Sequence, residues 1–405
     1  MSVRAAFGLA TFQDAARVLE PVVHRTPVEH STTLSGLVGA PVWLKTENLQ
    51  RTGSFKIRGA YVRMTRLSAE EKARGVVAAS AGNHAQGVAL AARELGISAR
   101  IFMPVDAALP KVAATRGYGA EVVLAGEDLT ACLDAAAQEV ARTGRAFIHP
   151  YDHPDIVAGQ GTIGLEILEQ VPGVRTIVVP TGGGGLLAGV AAAVHAVDPG
   201  VAVVGVQAEA AAAYPASLAE GRPVPRTGLH TMADGIAVGM PGEVPFRLVA
   251  EHAREVRTVT EEQLSRAVLH VVERAKLVVE PSGAAGVAAV AADPHAFAGP
   301  VAVILSGGNV DPLVLLRIIR HGMSAAGRYL QMRVLVQDAP GSLAALLHEL
   351  AASGGNVVNV EHSRTAAGLG VDEVEISVEL ETKGPEHCES VLEALRRRGY
   401  TIVRP

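Results

Sequence analysis

Between Gly75 and Leu305 the chain repeats one pattern that few folds accommodate. Short apolar, β-branched runs alternate with alanine-rich stretches long enough to be helices. The strand-like runs fall at Gly75–Ala79, Ala99–Met103, Glu121–Leu124, Thr176–Pro180, Val201–Val206 and Val301–Leu305. Helical patterns lie between them, among others at His84–Leu95, Leu129–Thr143, Leu186–Val197 and Glu261–Arg274. Such alternation specifies parallel α/β architecture. A strand like Ala302–Leu305, apolar at every position, demands a sheet covered on both faces. The glycines and prolines gather at the strand-to-helix turns, and open α/β sheets bind their ligands there, at the carboxyl ends of the strands.

The pattern changes near Arg328. From there the order is strand (Tyr329–Gln337), helix (Ser342–Ser353), strand (Val357–Ser363), strand (Glu373–Leu380), helix (Pro385–Arg397) and strand (Thr401–Arg404). This βαββαβ order is ferredoxin-like, and a domain boundary is expected at about 322–330. A length of 405 residues suits two or three domains. The net charge of −5 carries no long basic run, which argues against a nucleic-acid or membrane-surface partner. The two cysteines, Cys132 and Cys388, are far apart, so neither a disulfide framework nor a cysteine zinc site is expected. Met1–Ala10 lacks the apolar core and cleavage site of a signal peptide. No apolar run approaches the roughly 20 residues of a membrane helix. The expectation is a cytoplasmic protein.

Four glycine-punctuated segments carry chemistry. In Gly53-Ser54-Phe55-Lys56-Ile57-Arg58-Gly59-Ala60, Lys56 is one of only six lysines in a chain that otherwise uses arginine. A partly desolvated lysine amine can form a Schiff base, and arginine cannot; the bland alternative is a surface lysine at a helix start. Ser80-Ala81-Gly82-Asn83-His84 follows a strand and opens a helix. Its free backbone N–H groups suit an anion, although Ser80 or Asn83 as a plain N-cap accounts for the residues equally well. Thr181-Gly182-Gly183-Gly184-Gly185-Leu186 lets the backbone wrap a phosphate. Gly183, Gly185 and Ala188 also fit a dinucleotide fingerprint with Glu209 as the ribose acid, which makes a nicotinamide fold the first rival. In Leu305-Ser306-Gly307-Gly308-Asn309, Ser306 stands at a strand's carboxyl end; its alternative is a simple turn serine.

In this order and spacing the four segments resemble the serine/threonine ammonia-lyase branch of the fold-type II pyridoxal-phosphate enzymes, over about residues 10–320. The nicotinamide rival has no use for Lys56, Asn83 and Ser306 together. The resemblance implies a tryptophan synthase β-like α/β fold of two open sheets. Residues 1–50 and 151–321 would form the large catalytic domain, with a small domain, 51–150, inserted in it. It implies pyridoxal 5'-phosphate as cofactor, held covalently by Lys56, which then takes the substrate's Cα proton. Phe55 would pack on the ring, Gly182, Gly183, Gly184, Gly185 and Leu186 would cradle the phosphate, and Asn83 would bond the 3'-hydroxyl. Ser80, Ala81, Gly82, Asn83 and His84 would receive the substrate carboxylate. Ser306 would meet the ring nitrogen. A serine there supplies a hydrogen bond but no charge to keep the ring protonated, so loss of the β-hydroxyl close behind the proton is the natural route.

The expected activity is conversion of L-threonine, and also of L-serine, to a 2-oxo acid and ammonia. A serine-preferring ammonia-lyase is the runner-up, since one methyl group discriminates by only roughly 1–3 kcal/mol. A β-replacement enzyme is a weaker reading, and a catalytically silent amino-acid sensor is the alternative from another class. Ala81 stands where racemases of the fold carry a second serine, so weak or absent racemisation is expected. Gln207, Ala211 and Ala213 replace the acids of a divalent-metal site, and none is expected. His149-Pro150-Tyr151-Asp152-His153-Pro154-Asp155 has metal-like composition but reads as a structured loop. Asp234-Gly235 and Glu280-Pro281-Ser282-Gly283 are expected only to shape the pocket.

The C-terminal segment, residues 329–405, resembles the ACT domain through Asp338-Ala339-Pro340-Gly341-Ser342-Leu343. The resemblance implies amino-acid binding at Asp338, Pro340, Gly341, Ser342 and Leu343, with Asn356 and Asn359 as pocket walls and isoleucine or valine as the effector. The alternative is a domain that serves assembly alone. ACT domains usually bury their sheet edges against a partner, so the resemblance implies a homo-oligomer, with a tetramer favoured.

Overall fold

The computed structural model describes residues 7–364 and 369–403. They divide into two compact units, Met1–Leu315 and Leu316–Pro405. The first unit lays down β1 (Val28–His30) and β2 (Val42–Lys45), then β3 (Val76–Ala79), β4 (Ala99–Met103), β5 (Glu121–Leu124) and β6 (Ala146–Phe147). It continues with β7 (Thr176–Pro180), β8 (Ala202–Ala208), β9 (Glu255–Val259) and β10 (Val301–Ile304). Strands β3 to β6 form a four-stranded parallel sheet in the order β5-β4-β3-β6. The other six form a second sheet, β1-β2-β10-β7-β8-β9, parallel except at β1.

The strands that lead to the motifs are the most deeply covered. Every residue of β3, β7 and β10 is buried, as sheets wrapped by helices on both faces require. Three helices then bring the motifs together. Lys56–Thr65 starts at the candidate lysine, Asn83–Leu95 follows β3, and Gly185–His195 follows β7. Gly87 is where the second of these crosses the first: a Cβ there would stand 3.0 Å from the Lys56 carbonyl carbon. A larger residue would push the two helix starts apart.

Two residues beyond Lys56, Arg58 is fully buried. It bonds Glu47 through Nε and Nη2, both at 2.8 Å, and Glu166 through Nη1 at 2.6 Å. Lys45, also buried, donates to Glu166 Oε2, to Gln170 at 2.8 Å and to the Thr26 carbonyl at 2.8 Å. Taking one partner from a buried set like this costs about 3–5 kcal/mol, because the remaining charge is stranded. The network therefore ties the helix that carries Lys56 to β2 and to the helix Pro154–Gln170.

Most expected elements stand within two residues of their places. The expected helix Glu261–Arg274 differs: it is α-helical to His270 and then makes a π turn over Val271–Ala275. The Lys276 amide reaches back to the Val271 carbonyl, with Lys276 in the left-handed region at φ 60°.

In the second unit β11 (Tyr329–Gln337), β12 (Asn356–Ser363), β13 (Glu373–Glu381) and β14 (Thr401–Val403) pair antiparallel in the order β12-β13-β11-β14. Helices Ser342–Ala352 and Pro385–Arg397 complete the βαββαβ order. Met332, Val334, Ile376, Val378, Leu346 and Leu392 form its core. Arg404, expected to end the last strand, lies outside the described residues. Helix Pro312–Ala325 runs through the first half of the segment 322–330, and the compact units divide after Leu315.

Candidate active site

One cavity in the first unit gathers the catalytic candidates from four stretches of chain. Phe55, Lys56, Ser80, Ala81, Gly82, Asn83, His84, Gly182 to Leu186 and Ser306 all line it. They come together because β3, β7 and β10 each end there, and Ser54 bridges to Gly307 beside the lysine. The Phe55 amide donates to the Ser306 carbonyl at 3.1 Å.

Lys56 Nζ donates to the Pro150 carbonyl at 2.9 Å and lies 5.1 Å from the Phe55 ring centroid. Burial disfavours the charged amine and pushes it down to about 8, against a smaller opposing pull from Glu280. A useful fraction of free amine is thus present near neutral pH, as a nucleophile or base requires.

The glycine run is shaped from behind. Gly184 adopts φ 96°, ψ −6° as the N-cap of Gly185–His195. A Cβ on it would collide with the Tyr214 hydroxyl, and one on Gly183 would lie 2.5 Å from the Tyr151 ring. The polypeptide therefore presents bare backbone to the cavity. The first amides of a helix have no carbonyl of their own to bond; Ala188 is the first here to do so, to Gly184 at 2.8 Å. Gln207 fixes the loop from beneath, donating to the Gly182 carbonyl at 3.4 Å and accepting from the Tyr214 amide at 2.9 Å.

At the start of helix Asn83–Leu95, Ser80 Oγ accepts from the Gly82 amide at 3.1 Å, which withdraws that amide from ligand binding. His84 is buried, its Nε2 2.8 Å from the Ile148 carbonyl. Burial, reinforced by the Lys56 charge, pushes its imidazole down to about 3. The ring is neutral at physiological pH, so only the backbone of His84 suits a carboxylate.

Sequence reasoning missed the partners of Asn83. Its Nδ2 donates to Glu280 Oε1 at 2.6 Å, and its Oδ1 accepts from Asn309 Nδ2 at 2.7 Å. Asn309 also donates to the Thr52 carbonyl at 2.7 Å. The two neighbours thus fix both ends of the Asn83 amide. Glu280 is buried, and burial, with nearby Asp234 adding to it, pushes its carboxyl up to about 7. The available signal was an acid directly before Pro281 at the head of an otherwise apolar helix, Pro281–Ala292. Lys111 and Asp234, 2.8 Å apart, also line the cavity. In the His149–Asp155 loop, His149 Nδ1 accepts from the Asp152 amide at 2.7 Å and His153 caps the helix Pro154–Gln170.

These residues fit the group that the resemblance implies. Ser282 Oγ, on the cavity wall, is buried without a hydrogen-bond partner among the described residues. The glycine loop is a cradle that side chains would fill, and the lowered lysine amine is free of any carboxylate bond. An anionic, hydrogen-bonding aromatic aldehyde answers all three.

In the second unit the expected effector residues separate. Asp338, Pro340, Gly341, Ser342 and Leu343 lie together at the turn after β11. Asp338 there is exposed and paired with Arg364 at 2.9 and 3.1 Å. Asn356 opposes Glu381, which opposes Tyr329, so within one copy it stands at the other end of the sheet. Its amide donates to Glu381 at 2.9 Å.

Comparison with known proteins accords with both units. The ACT domain model matches residues 331–401. L-threonine ammonia-lyase of Thermotoga maritima is 46% identical over 394 residues, covering 97% of this chain and 98% of its own. Threonine deaminase isoform 2 of Solanum lycopersicum superposes with a TM-score of 0.74 at 36% identity, over 77% of this chain and 93% of that one. Maize serine racemase gives 0.74 at 35% identity, over 77% and 96%. The model described as pyridoxal-phosphate dependent enzyme matches residues 19–307, and with the lysine, the glycine cradle and the serine converging in one cavity, the chain belongs to that family.

Proposed function

We propose that this protein converts L-threonine to 2-oxobutanoate and ammonia, and that it also turns over L-serine. The β-hydroxyl leaves as water, and the water consumed when the amino group is released restores the balance. The observation that carries the reading is the Lys56 amine, lowered to about 8, in one cavity with the glycine-lined helix start, Asn83 and Ser306. Relatives bearing the names threonine ammonia-lyase and threonine deaminase support it. When bound, pyridoxal phosphate supplies the electron-withdrawing ring that makes the substrate's Cα–H acidic.

The chain's own residues do the rest. Lys56 holds the cofactor and takes the Cα proton on its amine, with the Pro150 carbonyl steering that amine. Amides of Gly182 to Leu186 hold the phosphate. Asn83, with its amide fixed by Glu280 and Asn309, bonds the ring hydroxyl, and Ser306 bonds the ring nitrogen. The open amides at the start of Asn83–Leu95 receive the substrate carboxylate. In the second unit an amino acid, isoleucine or valine, binds at the Asp338–Leu343 turn and modulates the rate allosterically. The assembly is a homotetramer, working in the cytoplasm and feeding isoleucine synthesis.

The test is 2-oxo acid release from L-threonine and L-serine in parallel by protein supplied with pyridoxal phosphate. Faster 2-oxobutanoate from threonine is expected, lowered roughly 10²–10⁴-fold or more by Lys56→Ala. No keto acid from either substrate, in protein that binds the cofactor, overturns the reading and leaves β-replacement or amino-acid sensing to be tested next.

A further inference from the structure

The cavity carries a charge pair that the assigned roles leave unused. Lys111, on the helix Leu109–Gly117, reaches Asp234, on the 3-10 turn Asp234–Ile236, at 2.8 Å. The pair joins the wall built on the smaller sheet to the loop that backs the glycine run, since a Cβ at Gly182 would stand 3.1 Å from Ile236 Cα. Its two ends differ. The Lys111 side chain is 16% exposed, that of Asp234 62%. Lys111 is therefore held by the cavity wall, whereas Asp234 is largely in water.

Where Lys111 is held matters. A Cβ built on Gly82, at the head of the helix Asn83–Leu95, would have Lys111 Nζ as its nearest neighbour at 3.6 Å. The ammonium thus stands over the helix start that receives the substrate carboxylate in the reading above, on which this inference rests. Two alternatives for that charge are removed by other observations. His84, at the same helix start, is neutral and bonded to Ile148. The Gly82 amide is already bonded to Ser80 Oγ. Apart from Lys56, whose amine is committed to the cofactor, Lys111 is the one lysine or arginine among the described residues lining the cavity.

We infer that Lys111 is a substrate-binding residue that exchanges Asp234 for the substrate carboxylate. In the free enzyme Asp234 occupies the ammonium. An arriving amino acid presents its carboxylate between Nζ and the helix amides, and Asp234 withdraws into solvent. The exchange keeps the number of ion pairs constant. It releases the partner that loses least, because an already exposed carboxylate gains little from such a pair. The new pair, assisted by helix amides in a more enclosed place, is the stronger one. The device selects for a free α-carboxylate and disfavours amides and esters of the same amino acid.

Two variants of the cofactor-loaded enzyme separate this from a structural strut. Lys111→Met is expected to raise KM for L-threonine by roughly tenfold or more with a much smaller change in kcat, as removal of a charge-assisted contact does. Lys111→Arg should recover most of it. Asp234→Asn, which removes the competitor, should lower KM. The visible absorbance change of the bound cofactor on titration with L-2-aminobutanoate, which keeps the carboxylate but has no β-hydroxyl to lose, should give the same order of affinities without elimination. Lys111→Met with KM within about twofold of the parent overturns the inference, as does an equal rise in KM from both variants, which a mere strut would give. Absence of keto acid from the parent enzyme is a different outcome, and sinks the reaction itself.

Discussion

Two turns in this molecule have nearly the same backbone. Gly184 caps the helix Gly185–His195 at φ 96°, ψ −6°, and Gly341 caps Ser342–Ala352 at φ 95°, ψ −15°. Their surroundings have nothing in common. Behind Gly184 the Tyr214 hydroxyl and Pro245 fill the place of a side chain; among the described residues nothing lies within 4 Å of a Cβ on Gly341. The first turn is walled by residues from distant parts of the same unit. The second lies exposed, and Arg364 is paired with its Asp338. A strand–glycine–helix turn supplies donors for an anion, but enclosure makes a site of it, and enclosure is a long-range property. Among the described residues the second unit supplies no such wall.

Adding one methyl group at each turn tests the contrast most forcefully. Gly184→Ala combines overpacking with a disfavoured φ and should cost about 2–4 kcal/mol, with loss of bound cofactor. Gly341→Ala meets only the backbone term, about 1–2 kcal/mol. Urea unfolding and cofactor absorbance read both, and equal costs would break the comparison.

The next effect sharpens it through pH. Glu280 holds its proton more tightly in the folded, cofactor-free protein, at about 7 against an ordinary 4.5. Its favourable contribution is complete below about 4.5 and is lost as pH rises through about 7. Stability should therefore fall across that window, on the order of 3 kcal/mol if the group acts alone. Glu280→Gln, which keeps an acceptor for Asn83, should flatten the fall; an unchanged slope in urea midpoints between pH 5 and pH 7.5 would discount the buried acid. The smallest effect belongs to the open turn. Asp338→Asn should leave the thermal midpoint unmoved, because both partners of its ion pair are in solvent. A clear drop would mean that the turn is enclosed after all.

Three of the motifs were legible because each follows an apolar strand directly, so that local pattern places it at a carboxyl end; the Lys56 segment follows a loop after β2 and stood out by its scarce lysine. The family resemblance then supplied roles that spacing alone left divided between phosphate cradle, dinucleotide fingerprint and plain cap. What stayed hidden is what the motifs touch. Asn83 and Glu280 are 197 residues apart in the chain, and no periodicity links them. Tyr151, in the histidine-rich loop, and Tyr214, after an alanine run, force glycine at 183 and 184, and nothing in either stretch points to that contact. The end of one helix was not legible for a local reason: glycine and small residues at 322–327 suggested a linker, but the preceding apolar run carries its helix on to Ala325. The π turn after His270 likewise leaves no trace in the side-chain pattern.

The position of β10 bears on how the molecule is made. It is the last strand of its sheet to be synthesised, yet it lies between β2 and β7. Until a ribosome has passed Ile304, those two strands have no common neighbour and their edges stay open, a state prone to wrong pairing. Ser306 follows two residues later. A nascent chain therefore gains its central strand and the serine proposed to meet the cofactor ring almost together, and any truncation short of that point forfeits both.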